Sequence, residues 1–199
     1  MKNILILLFS VFLFSCSSDE GIEVDTDTDN DFEIDTVGFR VTSEAIVNGE
    51  LLANFKCESK TNDIENSIPL AWLEVPEGTG SLAVTMIHYP NADDLTNPNS
   101  YLLLWDIDPS TTEIPYGTAD DGPWYMGQNK DGTAISYTSP CSPSAATHEY
   151  TITVYALSET PASLPMMSSI DVDYSTLIDA IGTVTTIETT KLTFNDVTE

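Results

Sequence analysis

Tyr150-Thr-Ile-Thr-Val-Tyr155 places Tyr150, Ile152 and Val154 on one side of an extended chain and Thr151 and Thr153 on the other. That period-two alternation is the pattern of a strand with one buried face. Working outward, Leu82-Ala-Val-Thr-Met-Ile87 and Tyr101-Leu-Leu-Leu-Trp105 are continuous apolar runs of strand length. Such runs suit central strands covered on both faces. Turn residues fall between them, at Pro76-Glu-Gly78, Pro115-Tyr-Gly117 and Asp131-Gly132. Ser175-Thr-Leu-Ile-Asp-Ala-Ile181 has the cap and apolar spacing of a short helix that ends at Gly182. No internal repeat is present, so residues 38–199 read as one mostly β domain.

The 199 residues carry 6 Lys+Arg against 32 Asp+Glu, a formal charge of −26, with 41% hydrophobic residues. A chain this acidic lacks the cations that displace counterions from phosphates, which excludes nucleic acid as a partner. It equally excludes docking on anionic lipid through a polybasic patch. Three Cys and two His show no three-ligand spacing, so no metal site is expected. No Gly-x-Ser-x-Gly elbow occurs and no cofactor motif appears, so no catalysis is expected and a hydrolase is the least favoured reading.

The N-terminus reads as an address. Met1-Lys2-Asn3 supplies one positive charge, and Ile4 to Phe14 is apolar apart from Ser10. Those eleven residues are too few to cross a hydrocarbon core of roughly 30 Å as a helix, so residues 1–15 are read as a secretory signal. The run ends in Leu13-Phe14-Ser15-Cys16, which resembles the bacterial lipobox despite the bulk of Phe14. The resemblance implies acylation of the Cys16 thiol and a membrane partnership through that lipid. Residues 16–37 follow as a tether with nine acids and no base, a composition that stays extended and solvated. Asp25-Thr-Asp27-Thr-Asp29-Asn-Asp31 has the alternation of a calcium loop. Its sixth position is Asn30 and its twelfth Thr36, so a spacer is the expectation. Ser17-Ser18-Asp19-Glu20 resembles the acidic export signal of Bacteroidetes-type surface lipoproteins. The expected location is the outer membrane, facing periplasm or exterior.

Within the domain, one ordered series of motifs is specific. Phe39-Arg-Val-Thr-Ser43, Gly49-Glu-Leu-Leu and Phe55-Lys-Cys57 precede Ser67-Ile-Pro69-Leu70-Ala-Trp72 and Val75-Pro-Glu-Gly-Thr79. Ser81-Leu-Ala-Val84, Trp105-Asp-Ile107, Thr112-Glu-Ile-Pro115-Tyr-Gly117 and Gly127-Gln-Asn129 follow. Tyr137-Thr-Ser-Pro140-Cys141-Ser-Pro143, His148-Glu-Tyr150 and Tyr155-Ala-Leu157 complete the series. In order and spacing it resembles the bacterial branch of the phosphatidylethanolamine-binding protein family, also called Raf kinase inhibitor-like proteins, over about residues 38–199. The resemblance implies a large antiparallel sheet packed on a smaller one with one or two short peripheral helices. It also implies a pocket for phosphate-like anions and phospholipid head groups.

The pocket motifs are altered. The family's D-P-D-x-P stretch falls on Tyr89-Pro90-Asn91, without its carboxylates, and His88 lies beside it. The His-Trp pair falls on Tyr101-Leu102, and the arginine of H-R-Y is Glu149. His148, Tyr150, Pro140 and Cys141 remain. The expected ligand-binding residues are therefore His148, Tyr150, Tyr101, Tyr89, Asn91, His88, Pro140 and Cys141. They offer hydroxyl, amide and imidazole donors but no permanent cation, which predicts weak binding of a dianion and suits a neutral or apolar ligand. A pocket that has lost its ligand altogether is the other reading, with loops 91–99 and 118–133 then contacting an unnamed protein partner.

Cys57 and Cys141 form an even pair in an oxidising compartment, open to a disulfide or to two separate buried thiols. Trp72 and Trp105 are expected in the core, and Trp124 either there or in an exposed contact loop. Divided along the chain, the charge of residues 38–199 comes from 5 bases against 23 acids. The domain itself is therefore acidic, apart from its tether.

Overall fold

The structure is a computed structural model that describes residues 38–57, 65–91, 93–141 and 145–198. The expected signal, Cys16 and the acidic tether of residues 16–37 lie outside the described residues. Two sheets carry the domain. The smaller joins β1 (Arg40–Thr42), β4 (Leu70–Leu73) and β7 (Glu113–Ile114) in the order β1-β4-β7, both pairs antiparallel. The larger has seven strands in the order β2-β3-β10-β9-β5-β6-β8. Its members are β2 (Ile46–Val47), β3 (Glu50–Leu51), β5 (Ser81–His88), β6 (Asn99–Ile107), β8 (Tyr125–Met126), β9 (Ala146–Leu157) and β10 (Thr186–Thr198). All its pairs are antiparallel except the bridge of β3 to β10.

The sequence patterns account for the layers. The continuous runs 82–87 and 101–105 become β5 and β6, inside the large sheet, and their residues are buried throughout. One face of that sheet packs on the small sheet, joining Val84, Met86, Leu104, Tyr150, Ile152 and Phe194 to Val41, Leu70 and Trp72. The other face is covered by α1 (Tyr174–Ile181) and the segment before it, where Leu177 and Ile181 meet Ala83, Leu103, Trp105 and Leu157. A buried aromatic or aliphatic side chain contributes roughly 1.5–3 kcal/mol, so these two layers supply the bulk of the driving force. Trp72 and Trp105 are fully buried, and each indole N–H donates to a backbone carbonyl, Thr111 O at 2.7 Å and Pro165 O at 3.0 Å. Trp124 is half-buried against the first layer and donates to Ala119 O at 2.8 Å, which places it with the core rather than in an exposed patch.

Gly127 marks a position where backbones crowd: a Cβ there would collide with the Val172 carbonyl and press on Leu103. That close approach lets Gly127 N reach Leu103 O and Gln128 N reach Val172 O, locking the 126–128 strap over β6.

Two residues in succession fasten the turn at 53–57. Lys56 Nζ lies 2.9 Å from Asp196 Oδ1 and donates to Val197 O at 2.5 Å. Cys57 is disulfide-bonded to Cys141, with 84 residues of sequence separation and Cα atoms 5.1 Å apart. Cys57 N also donates to Pro140 O at 3.1 Å. A crosslink of that span restricts the unfolded chain by about 4–5 kcal/mol in loop-closure terms. Replacing both cysteines by serine should lower the stability measured in urea by up to that amount, and adding reductant to the parent protein should reproduce the loss.

The helix begins where Asp173 Oδ1 accepts from Thr176 N at 2.7 Å and from Ser175 Oγ at 2.9 Å. These bonds, chiefly that from the Thr176 backbone, hold the Asp173 carboxyl below its ordinary range. A depressed carboxylate adds stability above its unfolded value and loses it as pH falls through the folded one. Asp173→Ala should cost about 1 kcal/mol at neutral pH. Thermal melts should show that difference shrinking as the pH falls into the acid range, while Asp173→Asn retains the cap.

Candidate functional site

The alternation in β9 sends His148, Tyr150 and Ile152 to the face that meets the small sheet. Register then chooses their neighbours: Phe194 lies opposite Tyr150 and Asp196 opposite His148. Tyr150 and Phe194 stack with centroids 5.4 Å apart and planes 13° from parallel. His88, at the end of β5, stacks on Tyr150 at 5.0 Å and 28°, and meets His148 edge-on at 5.2 Å. Tyr101 from β6 meets Tyr150 edge-on at 5.0 Å. Five rings from four strands thus form a continuous aromatic chain. Each such pair is worth roughly 0.5–1.5 kcal/mol beyond area burial, so the chain is a rigid element.

Tyr101 and Tyr150 are only 2% and 1% exposed. Burial pushes both hydroxyls up, and for Tyr150 the proximity of Tyr101 and the Asp196 carboxylate adds to the effect. Both therefore remain protonated at any physiological pH. His88 Nδ1 lies 2.8 Å from Glu149 O. A carbonyl can only accept, so Nδ1 is the donor in this bond. Asp196, almost wholly buried, is the fixed negative charge beside the rings, and Lys56 balances it. Stripping one partner from such a pair leaves an uncompensated buried charge, at a typical cost of about 3–5 kcal/mol.

Outside the ring chain, at the end of the β5–β9 pair, lies a groove of about 420 Å³. His88, His148, Tyr89, Pro90, Leu95 and Glu149 line it, with Ile87, Thr147 and Thr151. Of the eight residues expected to bind ligand, three (His88, Tyr89 and His148) stand at this groove. Tyr101 and Tyr150 are behind it, in the ring chain. Asn91 is turned into its own loop, where its Oδ1 accepts from Asp93 N at 3.0 Å. Pro140 and Cys141 belong to the disulfide-bonded segment and do not line the groove. That segment is held by Thr138 N to Tyr101 O at 3.0 Å, Tyr137 N to Asp120 Oδ1 at 3.1 Å and Ser139 N to the Glu65 carboxylate.

Sequence reasoning missed Phe194, Asp196, Lys56 and Leu95. A signal existed for two of them: Leu192, Phe194 and Asp196 alternate with Thr193 and Asn195, but nothing local says which strand they face. No lysine or arginine lines the groove among the described residues. Its polar groups are imidazole, phenol, hydroxyl and one carboxylate, a set that hydrogen-bonds a neutral solute better than it neutralises a dianion.

The matching family model is that described as "Phosphatidylethanolamine-binding protein", over residues 42–195. No curated protein matches the chain. Two crystal structures share the architecture. One is of a phosphatidylethanolamine-binding protein homolog from Chlamydia trachomatis, with TM-score 0.66 and 21% identity, covering 81% of this chain and 99% of that one. The other is YbcL of E. coli, described as a member of the mammalian family, with TM-score 0.66 and 24% identity, covering 82% and 100%. At these identities the two structures speak for the fold alone. The family match, which spans most of the chain from the end of β1 into β10, carries more: this chain belongs to the phosphatidylethanolamine-binding protein family.

Proposed function

We propose that the protein is a bacterial outer-membrane lipoprotein, periplasmic or surface-facing, whose domain is a non-catalytic binding module with a remodelled pocket. The observation that carries the reading is the aromatic chain. His88, Tyr150 and Tyr101 fill space where the family's altered motifs converge, and the open volume lies beyond them, at His88, Tyr89 and His148. Fixed donors without a positive charge favour a small neutral ligand with hydroxyl or amide groups over a phosphate head group. Losing charge-assisted bonds at about 1.5–3 kcal/mol each is enough to remove measurable affinity for a dianion.

A second reading keeps the domain as an envelope interaction protein with a vestigial pocket; the near-complete burial of Tyr101 and Tyr150 supports it. Native mass spectrometry of the purified protein separates the two. The binding-module reading expects a copurifying small molecule that is lost from His148→Ala, and an empty spectrum from the parent protein would favour the interaction reading. Calorimetric titration with inorganic phosphate and with glycerophosphoethanolamine should show no sub-millimolar binding; such binding would contradict the remodelled pocket.

The lipid anchor is supported by the signal-like run before Cys16 and by the acidic tether after it. Cells fed an alkyne fatty acid should yield labelled protein in the membrane fraction. Cys16→Ser should abolish both label and membrane retention, and a labelled Cys16→Ser protein would refute the assignment.

A further inference from the structure

A second cleft, also of about 420 Å³, lies on the small sheet, with a lining that shares no residue with the groove at His88. Its floor follows from register. Thr42 pairs with Ala71 and Ala71 with Glu113, so these three form one row across β1, β4 and β7. Their neighbours in sequence, Val41, Leu70, Trp72 and Ile114, are buried on the inward face, so the row faces outward. Ala71, the smallest of the three, leaves a depression at the centre.

Aromatic rings wall the cleft. Phe55 and Tyr116 meet edge to face, centroids 5.4 Å apart and planes at 84°, making a right-angled corner. Tyr116 is 52% exposed, a large ring left open to solvent. The hydroxyls nearby are already committed: Ser43 Oγ donates to Pro69 O at 2.6 Å and Thr42 Oγ1 to Ala71 O at 3.4 Å. The charged side chains that line the cleft among the described residues are Glu44 and Glu113. Lys56, next to Phe55, is engaged by Asp196 and Val197. Arg40, two residues before Thr42 on β1, does not line the cleft.

We infer that this cleft binds a small organic ammonium ion. Two acceptor-only carboxylates and two aromatic rings offer nothing to an anion, and a neutral solute would gain hydrogen bonds from the carboxylates but no charge attraction. An alkylated ammonium uses both, because its charge is attracted by carboxylates and by the negative faces of aromatic rings while its methyl groups pack on the rings. A bare metal ion fits poorly: two carboxylates fall short of the six to eight oxygens that calcium takes, and phenyl rings do not ligate it. The excess of acids over bases in residues 38–199 adds a general attraction for cations.

The test titrates the full-length protein with choline and with its uncharged analogue 3,3-dimethylbutan-1-ol, by calorimetry or by ring-proton shifts. Choline should saturate, and the neutral analogue should bind about tenfold more weakly or less. Tyr116→Leu and Glu113→Gln should each weaken choline several-fold with unchanged circular dichroism. Glu159→Gln, which removes an exposed acid away from the cleft, should leave affinity unaltered. The inference fails if choline does not saturate, if the neutral analogue binds equally well, or if Tyr116→Leu and Glu113→Gln have no more effect than Glu159→Gln.

Discussion

The antiparallel ladder of β9 with β10 is the constraint on which the remainder depends. It runs from Ala146–Thr198 at one end to Leu157–Thr186 at the other, with one irregularity near Thr186. Because side chains alternate, a slip of one residue would send Phe194 and Asp196 to the opposite face. The Tyr150–Phe194 stack and the Lys56–Asp196 pair would then both vanish, and with them the support of His88 and His148. The ladder is held in register by the core itself, since Ile152, Val154 and Phe194 find burial only in the observed alignment. The site is therefore a by-product of packing before it is anything chemical.

That dependence shows how the family's architecture accommodates the side chains this chain carries around His88 and Tyr150. The strands are specified by apolar residues on alternate faces, which His88, Tyr101 and Glu149 do not disturb. His88 ends β5 and Glu149 is exposed on β9, where charge does not cost the fold its core, whereas Tyr101 lies within β6 and is part of that core. The rings at His88, Tyr101, His148 and Tyr150 pack on one another. The buried negative charge, Asp196, is matched by Lys56 within the protein, and Glu149 adds a carboxylate at the groove, so the region has no surplus positive field to offer a ligand.

The fold was largely legible in the sequence. Runs 82–87, 101–105 and 150–155 all lie within strands, and the segment 175–181 lies within the helix, which starts one residue earlier behind its Asp173 cap. These features are local: alternation, continuous apolarity, a cap. β10 was hidden, because Thr186-Ile-Glu-Thr-Thr-Lys-Leu-Thr-Phe194 is too rich in Thr and charge to announce a buried strand. The site was legible only in part. His88, Tyr89 and His148 do share a groove, yet Tyr101 and Tyr150 proved to be its backing and Asn91 a loop-forming residue. Whether a tyrosine lines a cavity or fills it is decided by the residue across the ladder, here Phe194, and no spacing within one strand reveals that partner. The two cysteines posed the same difficulty, since only three-dimensional proximity distinguishes a bonded pair from two thiols.

The Cys57–Cys141 bond also has a topological meaning. The chain between those residues contains β4, β5, β6, β7 and β8, that is, two of the three strands of the small sheet and three of the seven of the large one. Half of the strands thus belong to a covalently closed ring. A protease that cut once anywhere inside it would release nothing: the two pieces would stay joined through sulfur, and the mass would rise only by the water consumed. In an environment with extracellular proteases, a domain with this connectivity can be nicked and still persist as one molecule until it is reduced.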